Sequence, residues 1–323
     1  QLDTADDLYK KENWIKANPI LEYDEDALEN LVPVANTARD MGGEDLRDFL
    51  VKQLNMWMQW SNALYIKDIK DWKRCAALRT LKDFRGSKCY VGVDLSSGGD
   101  LTSIAIVIPY MVDGVKKYFV HTHSFIPASR VDEHIKTDKV PYDVWISKGL
   151  VTVTETLGGI KTDYKYIIKY LEDLIKQNDL KPQLVCYDPH NASAFLSDLE
   201  ALGFDSVAIT QTAKELNDAT VDFRLEIKAG NVVIEGTEVG KGKVVTFDEL
   251  LTWSIANAKT ISNSYGEIKI DKALDEDRID PIDAIIDAWR AAMKEEYKPD
   301  TNEVVNEWLE MYEKYMGKGG EKE

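Results

Sequence analysis

The stretch KCYVGVDLSSGGDLTSIAIVIPY, residues 88–110, is the part of the chain from which the rest can be understood. Its apolar run at residues 89–93 and its longer β-branched run at residues 102–110 predict two β-strands joined by a polar, glycine-bearing turn. Asp94 then ends the first strand and Asp100 opens the second. A carboxylate at the end of a buried strand is costly unless a cation or a hydrogen-bond donor pairs with it, although aspartate also caps turns. Asp94 and Asp100 are therefore candidates for a metal site or for turn caps.

From residue 88 onward the chain alternates strand and helix patterns. The Asp113-Gly114 turn between two apolar runs predicts a hairpin, so that three antiparallel strands open the sheet. Strand–helix–strand order after this meander predicts an α/β fold in which helices flank a mixed β-sheet on both faces. The later elements expected are a helix at 164–178, a strand at 183–187, a helix at 247–259 and an extended segment at 268–272.

Residues 1–84 have a different pattern, with apolar residues at helical spacing over 24–41 and 44–60. This pattern predicts a small helical region with Trp57, Trp60 and Trp72 in its core. We expect the α/β domain at residues 85–295 and a C-terminal helical tail at 296–323. The tail has an apolar stripe, which could pack on the preceding domain or dock on another protein.

The composition of the 323 residues restricts the class of protein. Apolar residues make up 44% of the chain without a run of 18, which predicts a globular protein with no membrane span. The polar, acidic N-terminus lacks signal-peptide features, and three separate cysteines fit a reduced, cytosolic location better than a disulfide framework or a zinc site. The net charge of −17 argues against general nucleic-acid coating, although metal ions at an acidic cluster still permit local DNA binding.

Three aspartates recur at the ends of elements: Asp94 and Asp188 end strands, and Asp280 opens a late helix. If the two strands are parallel neighbours, their carboxyl ends place two carboxylates side by side, and a helix packed on that edge can bring the third. Oxygen ligands of this kind suit Mg²⁺ or Mn²⁺. Two such ions ~3.5–4 Å apart can activate water and stabilise the leaving oxygen of a phosphodiester.

The third acid has more than one possible assignment. Asp280 precedes Pro281 and also fits a helix N-cap, and Asp283 fits the closing position of a capping box. Asp283 and Asp287 lie on roughly the same helix face as Asp280, so either could replace it as a ligand, with Asp283 preferred.

Other chemistries have weaker signals. The sequence has no GxxxxGK[ST] motif and no nucleophilic Ser/His/Asp signature. His121 and His123 share one strand face, but they lack a nearby third ligand, which disfavours metal binding by the pair. Lys272 is either a phosphate contact or a solvated surface lysine.

The order and spacing of these pieces resemble the RNase H-like nuclease module of tailed-phage terminase large subunits. The resemblance spans residues 12–292. Its pieces are W-x-x-A-N-P from Trp14, L-N-x-W from Leu54, VGVDLSSGGDLT from Val91, Y-D-P from Tyr187, W-x-x-x-N-A from Trp253, Lys272 and R-I-D-x-x-x-A from Arg278. The resemblance implies an RNase H-like sheet and an endonuclease that cuts concatemeric viral DNA during genome packaging in the host cytoplasm. It also implies that Asp94, Asp188 and Asp280 hold two Mg²⁺ or Mn²⁺ ions, with Asp100 as an auxiliary ligand.

The family's large subunit normally begins with a packaging ATPase, whose motifs this sequence lacks. Either the chain is a piece of a longer protein or the ATPase is encoded elsewhere. The implied partners are double-stranded DNA, the ATPase domain or subunit, the portal protein and the small terminase subunit, with no membrane. The alternatives are another RNase H-like nuclease of the resolvase or transposase type, and a non-catalytic assembly module of the packaging motor, which predicts no metal dependence.

Overall fold

A computed structural model describes residues 2–296, apart from residues 3–5, 42–47, 57–62, 97–100, 156–158, 160–161, 191, 241 and 273–276. The chain divides into two compact units, Gln1–Asp68 and Ile69–Glu323. Residues 69–84 lie in the larger unit, whereas the boundary expected from the sequence falls after residue 84.

The smaller unit is helical. Its elements are α1 (Lys11–Ala17), a 3-10 turn (Pro19–Glu22), α2 (Glu25–Met41) and a short π-helix (Phe49–Gln53). The core of this unit includes Trp14 and Phe49, both fully buried, whose rings meet edge to face at 5.7 Å. Trp57 and Trp60, expected in the same core, lie outside the described residues.

The larger unit contains the remaining elements. The helices are α3 (Ile69–Lys73), α4 (Val131–Asp138), α5 (Tyr142–Ser147), α6 (Tyr164–Asn178), α7 (Ser193–Ala201), α8 (Ala213–Ala229), α9 (Glu249–Asn257) and α10 (Asp280–Ala292). The strands are β1 (Ala76–Ala77), β2 (Lys88–Asp94), β3 (Thr102–Val112), β4 (Val115–Pro127), β5 (Val151–Thr154), β6 (Lys181–Tyr187), β7 (Ser206–Ala208), β8 (Val232–Val239), β9 (Lys243–Thr246), β10 (Ala258–Ser262) and β11 (Ile268–Lys272).

The main sheet has nine strands among the described residues, in the order β1-β8-β4-β3-β2-β6-β7, with β5 paired to β4 and β9 paired to β8. β2, β3 and β4 form the expected antiparallel meander, and β2 also pairs in parallel with β6. β10 and β11 form a separate antiparallel hairpin. β2 is therefore an interior strand of a mixed sheet, and the predicted α/β architecture is confirmed.

The side chains of β2 alternate between the two faces of the sheet. Val91 and Val93 belong to an apolar core that also includes residues of α6 and α7, among them Leu171 and Phe195. Gly92 faces the backbone of α10 on the other side. Because strand residues two apart share a face, Asp94 also lies on the α10 side. Helices thus cover both faces of the sheet, and α10 is the one that meets the acid-bearing face.

Two details differ from the sequence-based expectation. The helix expected over residues 247–259 ends at Asn257, because Thr260 and the residues beside it pair with Ile270 and its neighbours in the β10–β11 hairpin. Trp72 was expected in the core of the helical region. It is buried in the larger unit instead, where its Nε1–H donates to Oγ1 of Thr252 at 3.1 Å.

Candidate metal centre

The structure brings Asp94 and Asp188 to neighbouring strand ends. β2 and β6 are parallel, and their register pairs Val93 with Tyr187, so the next residue on each strand is an aspartate. Both aspartate side chains are half-buried. The backbone N–H of His190 donates a hydrogen bond to Oδ1 of Asp188 at 2.9 Å, which ties this carboxylate to the turn that follows β6.

Gly92 allows α10 to approach β2 closely. A Cβ atom on this residue would lie 1.8 Å from the carbonyl oxygen of Ala284 and 2.8 Å from the backbone nitrogen of Ala288. Real Cβ atoms do not approach backbone atoms so closely, so only glycine fits between this strand and this helix. Asp280 lies one helical turn before Ala284, and its charge acts on Asp94 more strongly than any other. The close contact therefore brings the start of α10 to the acidic end of β2.

The start of α10 differs from the expected cap. The helix begins at Asp280, with Ile279 in the N-cap position, and Pro281 and Asp283 lie in its first turn. The backbone N–H of Asp283 donates to the carbonyl oxygen of Ile279 at 2.9 Å. The expectation that Asp280 is the N-cap residue is thus wrong by one position. Asp280 and Asp283 place two negative charges at the positive end of the helix dipole, which favours them there.

The acids strongly affect one another's protonation. Burial raises the pKa of Asp94 well above its ordinary value, and the negative charges of Asp280, Asp283, Asp287 and Asp188 raise it further. Burial and the charges of Asp287 and Asp280 likewise raise the pKa of Asp283. The carboxylates thus repel one another, and a bound cation would relieve this repulsion.

Asp287 is the most deeply buried acid of the group, with 1% of its surface exposed. The amide nitrogen of Gln211 donates to its Oδ1 at 3.0 Å and to its Oδ2 at 3.2 Å. Burial raises the pKa of Asp287 to about 7, while the hydrogen bond from Gln211 opposes this rise. Gln211 was not found from the sequence, because a glutamine in a loop after a short strand has no recognisable pattern.

The β10–β11 hairpin brings lysines toward the acids. The ammonium group of Lys269 donates to the backbone carbonyl of Gln211 at 3.1 Å, and its positive charge partly opposes the rise in the pKa of Asp283. The sequence indicated Lys272 instead, which is half-buried at the end of β11 and pairs in register with Ala258. Lys269 was missed because only the tertiary contact with the loop of Gln211 distinguishes it from other lysines.

Two further sequence candidates have different outcomes. Asp100 lies outside the described residues, so its auxiliary role stays a prediction. His121 and His123 are both on β4. The His123 ring stacks on Tyr170 at 4.0 Å, and its Nε2 is 2.8 Å from Oγ1 of Thr152, so this histidine is part of the packed core beneath α6.

The donor set fits a hard divalent cation, because it consists of carboxylate oxygens that gather at one end of the sheet. Among the described residues, however, no three His, Cys, Asp or Glu side chains converge closely enough to hold a metal ion as they stand. The residues present thus have the right chemistry for Mg²⁺ or Mn²⁺, but the described side chains do not form a complete coordination sphere.

Comparisons with known proteins identify the family of this chain. The family model described as terminase large subunit, endonuclease domain, matches residues 1–296. The chain belongs to this family. The terminase large subunit of Enterobacteria phage HK97 is 26% identical over 276 residues, which make up 85% of this chain and 50% of that relative. The terminase large subunit of Lactococcus phage p2 is 22% identical over 216 residues, 67% of this chain and 37% of that relative.

The terminase fold is also found in a solved structure. The crystal structure of the HK97 bacteriophage large terminase matches this chain with a TM-score of 0.59 and 24% sequence identity. The matched region makes up 90% of this chain and 56% of the HK97 chain. This likeness confirms the predicted RNase H-like mixed sheet. The chain spans about half the length, or less, of the curated relatives it matches. Among the described helices of this terminase domain, none is long and apolar enough to cross a membrane.

Proposed function

We propose that this chain is a divalent-metal-dependent endonuclease that cuts concatemeric double-stranded viral DNA during genome packaging. The most direct support is the register of β2 and β6, which puts Asp94 beside Asp188, together with the close contact at Gly92 that adds the acids of α10. Membership of the terminase endonuclease family supports the nuclease class. The metal requirement and the cut itself are our proposal.

In this proposal Asp94, Asp188 and Asp280 hold two Mg²⁺ or Mn²⁺ ions, with Asp283 as the alternative to Asp280 and Asp100 as an auxiliary ligand. Two bound ions supply an activated water and stabilisation of the leaving oxygen. The protein's own contribution is to hold the carboxylates on three elements whose spacing is fixed by strand pairing and helix packing. Lys272 and Lys269 are placed on a hairpin whose cations can contact the phosphates of the substrate.

The domain organisation and the partners are part of the same proposal. We assign the connecting region to residues 1–84, of which 69–84 pack with the larger unit, the nuclease domain to residues 85–295, and a C-terminal tail to residues 296–323. The working partners are a packaging ATPase domain or subunit, the portal protein and the small terminase subunit, all in the cytoplasm of the host. The family of the matching relatives supports these assignments.

Substitution of single acids tests the proposal. Asp94→Asn and Asp188→Asn should each abolish cleavage of plasmid DNA in Mg²⁺ or Mn²⁺. Because Asp94 lies among other acids, Asp94→Asn should also raise the melting temperature slightly in metal-free buffer, since it removes repulsion. The matched control is Asp173→Asn, which changes an exposed acid of α6 on the opposite face of the sheet and should leave cleavage unchanged.

Wild-type rates from either acid variant would overturn the assigned site. Cleavage that is equally fast in a metal chelator would overturn the metal dependence. Loss of cleavage together with an unfolded circular-dichroism spectrum would be a folding effect, so each variant is first compared with the wild-type spectrum.

A further inference from the structure

A groove of about 720 Å³ lies at the end of the sheet opposite the acids. Its wall comes from the start of β2 and from the β3–β4 hairpin, and its apolar part is formed by Pro109, Tyr110 and Met111. β2 has seven residues, so the groove and the acid end are roughly 20 Å apart. An occupant of this groove would therefore leave the acids accessible.

The chain itself runs into this groove after α10. Lys294, Glu295 and Glu296 line it, and Glu295 is firmly held there. The ammonium group of Lys88 donates to Oε1 of Glu295 at 2.7 Å, and the hydroxyl of Tyr90 donates to the same carboxylate. The ammonium group of Lys116 donates to the backbone carbonyl of Glu295 at 2.6 Å. These contacts fix the place from which residues 297–323 depart.

The chemistry of the groove differs from that of the whole molecule. The protein has a net charge of −17, yet Lys88, Lys116 and Lys294 place three ammonium groups against two carboxylates in the lining. Val112 and Val115 on the adjoining turn are exposed large hydrophobics, at 38% and 47% of their surface. The groove thus combines an apolar wall with a lining that has one positive charge in excess, in an otherwise acidic protein, which suits an acidic amphipathic helix.

The sequence of residues 297–323 has this complementary pattern. Its apolar residues at helical spacing are Val304, Val305, Trp308, Leu309, Met311, Tyr312 and Met316, and Glu303, Glu307, Glu310 and Glu313 are mostly on the opposite side. Val304 is eight residues after Glu296, and this length of chain can span roughly 26 Å, so the stripe can reach the groove. We propose that this apolar stripe occupies the groove as an intramolecular docking helix, with Trp308 as its anchor.

Cysteine cross-linking in the full-length chain tests the docking. Cys75, Cys89 and Cys186 are buried, so introduced surface cysteines react selectively. The variant carrying Met111→Cys and Leu309→Cys should form a disulfide within one chain under mild oxidation, seen as a faster band on non-reducing gels. The control variant carries Leu309→Cys and Tyr265→Cys. Tyr265 is 88% exposed and lies in the turn of the β10–β11 hairpin, so this variant should form little intramolecular disulfide.

Hydrogen exchange gives a second readout that does not depend on introduced thiols. Trp308→Glu should make the amides of residues 110–116 exchange several-fold faster, whereas Glu310→Gln on the polar side should leave them unchanged. Equal cross-linking in both cysteine pairs, or unchanged exchange in Trp308→Glu, would overturn the proposal. Disulfides formed only between chains would also overturn it, because they would assign the groove to a second copy. Nuclease activity should survive in every variant, so failure here is distinct from failure of the proposed active site.

Discussion

At the level of single residues, the absence of a Cβ atom at Gly92 allows the acids of α10 to lie near Asp94. Gly92→Ala should lower the free energy of unfolding by about 1–3 kcal/mol, because the added methyl group overlaps the backbone of Ala284 and must push α10 away from β2. The same shift should reduce cleavage, since it moves Asp280 and Asp283 away from Asp94. Urea unfolding and plasmid cleavage measure the two effects.

The control for this prediction is Gly86→Ala. Gly86 has a positive φ of 76°, and an added Cβ atom there would have nothing within 4 Å. Gly86→Ala therefore measures the conformational cost of replacing a glycine without any steric overlap. If Gly92→Ala is no more harmful than Gly86→Ala in either measurement, the close contact does not position α10.

The two acids at the start of α10 should be unequal. The charge of Asp280 acts on Asp94 more strongly than that of Asp283 does, so Asp280 lies better placed to share a cation with Asp94. We therefore expect Asp280→Asn to reduce the cleavage rate more than Asp283→Asn, with Mn²⁺ titrations showing the larger loss of apparent affinity for Asp280→Asn. Asparagine is neutral at both positions, which makes the pair a matched comparison. The reverse order of effects would identify Asp283 as the third ligand.

At the scale of elements, a buried ion pair connects the end of α4 to the segment before α10. The Asp138 side chain is fully buried, and Arg278 donates to it through Nε at 3.3 Å and through a terminal nitrogen at 3.4 Å. Asp138→Asn should lower the unfolding free energy by about 3 kcal/mol, because it leaves a largely buried guanidinium without its carboxylate. Asp132→Asn, at the exposed start of α4, is the control.

This measurement should be made near neutral pH. Burial acts to raise the pKa of Asp138, but hydrogen bonds from His134, Thr137, Arg278 and Tyr142 outweigh it and hold the pKa below its ordinary range. When folding lowers the pKa of a carboxyl group, the group stabilises the fold at every pH above its pKa in the unfolded chain. This stabilisation is lost as the pH falls through the pKa of the group in the folded protein. A difference below roughly 0.5 kcal/mol between Asp138→Asn and wild type at neutral pH would contradict a structural role.

The elements that the sequence predicted best are those specified by local pattern. The apolar stripe of α6 and its N-cap Asp163, which accepts from the N–H of Lys165, are local features, and the helix has the predicted bounds. β10 was missed because residues 258–262 become a strand only by pairing with β11. At the candidate site the same distinction holds. Asp94 and Asp188 were visible as strand ends, whereas Gln211 and Lys269 act through contacts between distant segments.

At the scale of the whole molecule, charge should govern DNA binding. With a net charge of −17, the isolated chain should bind double-stranded DNA no better than micromolar at physiological salt, and its affinity should fall steeply as salt rises. Lys269→Gln with Lys272→Gln should reduce the slope of log affinity against log salt by about 2, one for each lost phosphate contact. Lys176→Gln, which removes an exposed ammonium group paired with Glu172 on α6, should not change the slope.

Fluorescence anisotropy with a short labelled duplex measures these affinities. Submicromolar binding by the isolated chain at physiological salt would contradict the prediction, as would an unchanged salt slope in the double lysine variant. In the packaging role proposed above, another component of the complex would then have to retain DNA and present it to the acids.

The interior position of β2 also determines how the chain responds to mechanical pulling. β2 is hydrogen-bonded along its length to β3 on one side and to β6 on the other. A tension applied along this strand acts on both rows of hydrogen bonds in shear, so that they must break together and not one at a time. The two aspartates at the ends of β2 and β6 should therefore keep their separation while force is transmitted along the sheet.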